Sequence, residues 1–267
     1  MKLRVVTYNI HKGVSSIGSK PRVHALKKAI GLLRADVLFL QEVQGRHDRH
    51  AERYGEPFWP SMGQHEFFAG DSHHAAYGMN AVYDHGHHGN ALLSVHPILG
   101  QANHDVSDHA YEQRGILHCV LETGARPVHC YVVHFGLFEA GRGRQADQLV
   151  QAVSSSAGPD EPVIIAGDFN DWRNSLSERL RQALGVREVF DELGQSSAVA
   201  ARLRALAGRP QPGPRPARTF PALMPWLRLD RIYVRGFQVE AAEVLHGSLW
   251  GKLSDHAPIV ANLALDA

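Results

Sequence analysis

The chain is poor in cysteine, with two among 267 residues. That excludes a disulfide-framed scaffold, and the lack of any CxxC spacing argues against a structural zinc site. No charge of one sign dominates: 28 Lys and Arg stand against 27 Asp and Glu. Such a balance argues against a surface coated in positive charge for wrapping long nucleic acid, and leaves a local basic groove open. No run reaches the roughly 18 apolar residues a membrane span needs, so no stable membrane insertion is expected. The opening Met1-Lys2-Leu3-Arg4-Val5-Val6 meets polar residues at Thr7, which is unlike a secretory leader; the expectation is a cytoplasmic protein. Gly-x-Ser-x-Gly is missing, and with it the serine-hydrolase elbow. Disorder, collagen and coiled coil are excluded by 44% hydrophobic and 21% charged residues. A chain of this length buries a large core without covalent staples.

Histidine is abundant, at 18 residues. His73, His74, His85, His87 and His88 lie within sixteen positions, mixed with Gly and Tyr, and the stretch from Gly45 to Asp84 reads mostly as loop. A polar loop at an active-site rim is preferred over metal capture for this cluster. From Arg202 to Arg218 there are five arginines and no acid, in and beside the proline-rich run GRPQPGPRPAR. That composition gives a stiff, irregular segment, either a solvated linker or a basic flap over an anionic substrate.

Apolar periodicity places strands at Lys2 to Ile10, Asp36 to Glu42, Gly89 to Ser94, Pro162 to Gly167, Leu229 to Val234, Phe237 to Val244 and Pro258 to Leu265. Ile116 to Glu122 and Val128 to Phe135 form a hairpin; pairing Glu122 with Pro127 sets Cys119 opposite Cys130, as buried free thiols in a reducing compartment. Helices are expected after a Ser19 cap with Pro21 in the first turn, over Gln145 to Val153, after the capping box Ser175-Leu176-Ser177-Glu178, and over Ser197 to Ala207. Hairpins interrupt the βα alternation, and strands outnumber the needs of one doubly wound sheet. The fold class is therefore α/β: a four-layer sandwich of two packed, mostly antiparallel sheets with helices outside, as one domain over 1–267.

Polar residues recur where apolar strands end: Asn9 and His11 after Val5-Val6, Gln41-Glu42 after Val37 to Leu40, His134 after Val132-Val133, Asp168 to Asp171 after Val163 to Ala166, then Asp230 and Asp255-His256. A rigid sheet can point such side chains into one cleft. Glu42, Asp168 and Asp255 offer hard oxygens suited to Mg²⁺ or Mn²⁺. Asn9 and Asn170 offer neutral oxygens or amide donors. His134 and His256 can move protons near neutrality, Asp230 can orient His256, and the fork of Arg114 suits a phosphate oxygen.

With these motifs the chain resembles the endonuclease/exonuclease/phosphatase superfamily, the fold of pancreatic deoxyribonuclease, abasic-site endonucleases, neutral sphingomyelinases and inositol polyphosphate 5-phosphatases. The resemblance rests on Thr7-Tyr8-Asn9-Ile10, Leu40-Gln41-Glu42, Gly167-Asp168-Phe169-Asn170, Leu229-Asp230-Arg231-Ile232 and Ser254-Asp255-His256, in the family's order over nearly the whole chain. It implies Glu42 as principal metal ligand with Asn9 and Asp255 nearby, and Asp168 positioning or deprotonating water. It further implies Asn170 and Arg114 on the phosphate, an Asp230–His256 pair, and His134 as the second histidine of the nuclease and sphingomyelinase branches. Val132-Val133 stands where that family carries Asn-Thr, and no block for inositol-ring recognition is found. The activity implied is a divalent-metal-dependent phosphoester hydrolase using metal-activated water, a phosphodiesterase or endonuclease. The alternative is a phosphomonoesterase for inositol, sugar or lipid phosphates; a binding protein that kept only the fold is disfavoured, because the acids, amides and histidines all remain. The expected partner is a phosphate ester, in nucleic acid, a lipid headgroup or a small metabolite, and the expected state is a monomer.

Overall fold

The computed structural model describes residues 1–15, 20–109, 111–191, 193 and 217–266. One six-stranded sheet is built from β1 (Lys2–Asn9), β2 (Val37–His47), β3 (His74–Tyr83), β4 (Gly86–Ser94), β11 (Phe237–Val244) and β12 (Ile259–Leu265), ordered β11-β12-β1-β2-β4-β3. The other is built from β5 (Ile98–Asp105), β6 (Gly115–Leu121), β7 (Val128–His134), β8 (Val163–Asp168), β9 (Arg187–Glu188) and β10 (Asp230–Arg235), ordered β5-β6-β7-β8-β10-β9. Helices among the described residues include α1 (Val23–Leu33), α2 (Asp48–Tyr54), α3 (Gln64–Ala69), α4 (Glu139–Ser156), α5 (Ser177–Leu184) and α6 (Ser248–Gly251), with a 3-10 turn at His11–Gly13. Neighbouring strands are antiparallel except β1 with β2 and β7 with β8. Parallel strands need a crossover, and α1 and α4 supply it.

Side-chain alternation produces the layers. β1 sends Leu3 and Val5 into the core between the sheets and Val6 and Tyr8 outward, where they meet Val23, Leu26, Ile30 and Leu33 of α1. β8 sends Ile164 and Ala166 inward, and Val163 and Ile165 outward against Ala146, Leu149 and Val153 of α4. Helix, sheet, sheet and helix are thus stacked as the sequence implied. Asn90 on β4 ties the sheets across the core, its Nδ2 donating to the carbonyl of Gly115 at 2.8 Å. The expected hairpin register holds: Cys119 lies opposite Cys130, both buried and both free thiols.

Several expectations are corrected. Gly45 to Asp84 is not mostly loop; it carries the end of β2, then α2, α3 and β3. His74 sits on β3 and His87 and His88 on β4, paired across the two strands, with the His87 and His88 rings tilted against Tyr77 and Tyr83. β5 was not anticipated: it is largely exposed, so it lacks the apolar alternation that betrays a strand. The helix at Ser177–Leu184 lacks the Ser175 capping box; Asp171 instead accepts hydrogen bonds from the Ser175 amide and hydroxyl and the Leu176 amide, each at 2.9 Å. The Ser19 cap, the helix at Ser197 to Ala207, and all of Arg202 to Arg218 except its last two residues lie outside the described residues.

Candidate active site

Continuing the inward alternation of five strands by one step yields Asn9, Gln41, His134, Asp168 and Asp230. Register brings them to one end: Asn9 pairs with Gln41, and Asp168 lies between His134 on β7 and Asp230 on β10. Gly167 permits that adjacency. A Cβ there would stand 1.9 Å from the carbonyl oxygen of Val133, and its φ of 152° suits glycine.

Glu42 departs from the alternation. The β2–β4 register shifts between Leu40 and Val43, and Glu42 adopts φ 57°. Such a bulge re-aims a side chain, here toward Asn9, whose Nδ2 lies 3.5 Å from Glu42 Oε1 and 3.2 Å from Asp168 Oδ2. His11, Lys12 and Asn170 also carry positive φ, of 47°, 57° and 50°. Backbone of this kind persists only where its surroundings hold it, and it concentrates at functional sites.

Asp168 is buried, with Oδ1 accepting from the Asn170 amide at 3.0 Å and Oδ2 lying 3.7 Å from Nε2 of both His134 and His256. Burial raises its pKa to about 6, with His256 pulling down and Asp230 pushing up. His256 Nδ1 meets Asp230 Oδ2 at 2.9 Å. Burial disfavours its imidazolium, but the carboxylates of Asp230 and Asp168 prevail and its pKa rises to about 10. His134 goes the other way: burial, then the charges of Arg114, His88 and His256, hold it well below its ordinary value. One histidine is thus kept charged and the other neutral, on either side of one carboxylate.

Asp255 is joined to His11 Nδ1 at 3.2 Å. Burial alone would raise its pKa; the His11 hydrogen bond and the His256 charge outweigh that and lower it. Asn170 Nδ2 and Arg114 Nε both donate to the carbonyl of Phe135, at 2.9 and 3.1 Å. Arg114 also donates to the carbonyl of Gln113 at 3.1 Å, so its fork braces the turn after β7 while its charge reaches His134. All nine expected site residues therefore meet at one cleft, Arg114 and Asn170 partly committed to its wall.

Sequence reasoning missed several supports. Thr219 donates to Asp230 Oδ2 at 2.5 Å, and Phe220 lies against the His256 ring, 5.1 Å between centroids. Ser254 donates to the carbonyl of Asn9 at 2.7 Å and accepts from the His256 amide at 3.2 Å. Lys12 Nζ stands 3.9 Å from Glu42 Oε2. Ser254 stands inside the recognised Ser254-Asp255-His256 motif without having been given a role, and Lys12 lies just beyond Thr7-Tyr8-Asn9-Ile10 and could have been found; Thr219 is distant in sequence and gave no signal.

Donor chemistry decides where a cation fits. Asp168, Asp230 and His256 place ligand-capable atoms within 4.8 Å of one another, alone in this among the described residues. Asp230 Oδ2 serves His256 and Thr219 while its buried Oδ1 has no hydrogen-bond partner, and the raised pKa of His256 suits proton handling better than ligation. Glu42 offers hard oxygens gripped only by contacts of 3.5 and 3.9 Å, so the residues present fit Mg²⁺ or Mn²⁺. Asn9 presents its amide nitrogen to the carboxylates, and its oxygen accepts from the His11 amide at 3.1 Å.

Two sheets thus close over two buried carboxylates flanked by imidazoles, an arrangement suited to moving protons in hydrolysis. The Endonuclease/Exonuclease/phosphatase family profile matches residues 6–256, and the chain belongs to that family, whose enzymes are generally metal-dependent hydrolases. It is 40% identical over 266 residues to the uncharacterized protein YbhP of Escherichia coli K12, covering 98% of this chain and 96% of that one. In structure it is similar to D. rerio TDP2 complexed with single strand DNA product, at a TM-score of 0.66 and 18% identity over 98% of this chain and 99% of that one. The human Nocturnin catalytic domain with bound sulfate anion gives 0.67 and 19% over 99% and 93%.

Proposed function

We propose that this protein is a Mg²⁺- or Mn²⁺-dependent phosphodiesterase. The observation that carries the reading is Asp168 Oδ2 at 3.7 Å from Nε2 of both His134 and His256, whose surroundings push their pKa values in opposite directions. Asp168, its pKa raised to about 6, takes the proton of the attacking water while the Asn170 amide fixes its other oxygen. His256, charged and oriented by Asp230, gives an N–H and a positive charge to a phosphoryl oxygen as negative charge develops. His134, neutral, hydrogen-bonds the ester without adding charge. Asn9 aligns Glu42 with Asp168. Glu42, with Asp255, would hold a divalent cation, which when bound would supply Lewis-acid stabilisation of the phosphate.

His256, the protonated imidazole, can pass its Nε2 proton to the departing alkoxide while Asp168 takes the water proton, which suits a diester, whose alcohol leaving group benefits from proton help. The near-zero net charge supports lipid headgroups and small diesters over long duplexes. Because the fold is shared with a TDP2 seen with single strand DNA product, single-stranded DNA belongs in the substrate panel. The test is a bis-aryl phosphate against its aryl monoester, with Mg²⁺ and Mn²⁺, followed by plasmid and single-stranded DNA, an abasic duplex, lysophospholipids, sphingomyelin and inositol phosphates. Faster diester turnover, lost in Asp168→Asn and His256→Asn, is expected. Monoester turnover without diester cleavage would replace this reading with the phosphomonoesterase.

A further inference from the structure

The corner after β1 is the most constrained backbone in the cleft. His11 and Lys12 are consecutive non-glycine residues in the left-handed region. What fixes them is Gln64, buried at the start of α3: its Nε2 donates to the Lys12 carbonyl, and its Oε1 accepts from the Gln44 amide, both at 3.0 Å. Gln44 lies two residues beyond Glu42, so one buried amide locks the corner to the bulged strand. The Gly13 amide donates back to the Ile10 carbonyl at 3.0 Å, and the Arg22 amide to the Gly13 carbonyl at 2.8 Å. Gly13 has φ 73°, and a Cβ there would stand 2.2 Å from Gln64 Nε2, so the clamp needs glycine.

This construction presents the Lys12 ammonium at the mouth of the cleft, 43% exposed. At 3.9 Å from Glu42 Oε2 it makes no hydrogen bond there. A lysine meant only to neutralise Glu42 would not need a strained corner, since its four-carbon stem reaches a carboxylate from ordinary backbone. Contacts lead from Glu42 through Asn9 Nδ2 to Asp168, so the ammonium stands at the outer end of the chain of side chains that reaches Asp168. Its charge is also felt across the cleft at His88 and His134. His88 Nδ1 is itself buried without a hydrogen-bond partner.

We infer that Lys12 is a substrate-binding residue: its ammonium holds a non-bridging oxygen of the phosphoryl group on which Asp168 and His256 act, and the Gln64 clamp sets its position. This rests on the proposed phosphoesterase reading only in taking the ligand to be a phosphate ester. An interaction present in both ground and transition states raises KM on removal and leaves kcat nearly unchanged. Lys12→Met is expected to raise KM roughly ten- to a hundredfold, as the loss of a charged hydrogen bond does. It should also weaken the salt dependence of kcat/KM, and Lys12→Arg should restore part of the loss.

A second readout needs neither metal nor turnover. In chelator, inorganic phosphate should raise the melting temperature of the wild-type protein and of Lys12→Arg, but not of Lys12→Met. Unchanged KM and phosphate response in Lys12→Met, or altered Mn²⁺ affinity with intact phosphate binding, would overturn the inference and leave Lys12 as a counter-ion of Glu42. Should the wild type cleave no ester while its phosphate response still depends on Lys12, the hydrolase reading falls and this inference stands.

Discussion

At the scale of single residues, neighbours decide protonation more than residue type does. His134 and His256 share a carboxylate neighbour, yet one is driven down by burial and nearby positive charge and the other up to about 10 by Asp230 and Asp168. A raised histidine stabilises the fold fully below its unfolded pKa, and the contribution is lost as pH rises through the folded value. For His256 that window runs from 6.5 to about 10. Asp230→Asn should lower the folded pKa of His256, so its melting temperature should fall less steeply than the wild type's across that window. The same substitution should reduce kcat roughly 10²- to 10⁴-fold by releasing the ring. A pH series of thermal melts read beside the pH–rate profile checks both; identical melting slopes would show that Asp230 does not hold the imidazolium. The Asp230–His256 pair was legible because both residues sit in short motifs. Thr219, which donates to the same Asp230 oxygen, Oδ2, that His256 Nδ1 meets, was not, because nothing local to Thr219-Phe220-Pro221 marks a partner eleven residues away.

At the scale of elements, strands with a continuous apolar run were read well, whereas β3, with only Ala76 and Gly78 buried, and the two-residue β9 were not. Alternation alone carries Asn9, His134, Asp168 and Asp230 to one rim, since each is the next inward position beyond a run of core residues. Glu42 breaks that alternation through a bulge, which a motif can flag but periodicity cannot. Exposed β5 and the short α2 and α3 escaped for the opposite reason: their stability comes from pairing and packing with distant segments, not from their own pattern. The approach to α5 shows how such an error can be tested. Asp171 accepts three hydrogen bonds from Ser175 and Leu176, in place of the expected serine cap. Asp171→Ala should cost about 1 to 2 kcal/mol, as the loss of a capping side chain does. At this chain length that is a fall of roughly 2 to 8 °C in melting temperature. Ser175→Ala, which removes one of those three bonds and leaves the amide contacts, should cost less; the reverse order would restore the capping-box reading.

At the scale of the whole molecule, the sandwich itself was legible from the count of strands and their hairpin connections, and the family motifs fixed its ends. The cleft draws on both sheets: Asn9 and Glu42 come from one, His134, Asp168 and Asp230 from the other. Across the gap the described links include the Asn9–Asp168 contact at 3.2 Å and Asn90 with the Gly115 carbonyl at 2.8 Å. A divalent cation bound at Glu42 binds the folded cleft and not the dispersed ligands of the unfolded chain, so it must stabilise the fold by mass action. At a hundredfold excess over the dissociation constant this amounts to about 2.7 kcal/mol, or roughly 5 to 10 °C in melting temperature. Mn²⁺ or Mg²⁺ should therefore raise the melting temperature in a saturable way, reversed by chelator. Glu42→Gln keeps the shape and hydrogen-bonding capacity of the side chain while removing its charge. It should fold, because Glu42 is partly exposed and its contacts with Asn9 and Lys12 are long. It should also abolish most of the shift. A full shift in Glu42→Gln, together with its loss in Asp168→Asn, would move the cation to the Asp168–Asp230–His256 group and assign Glu42 to positioning Asn9 instead.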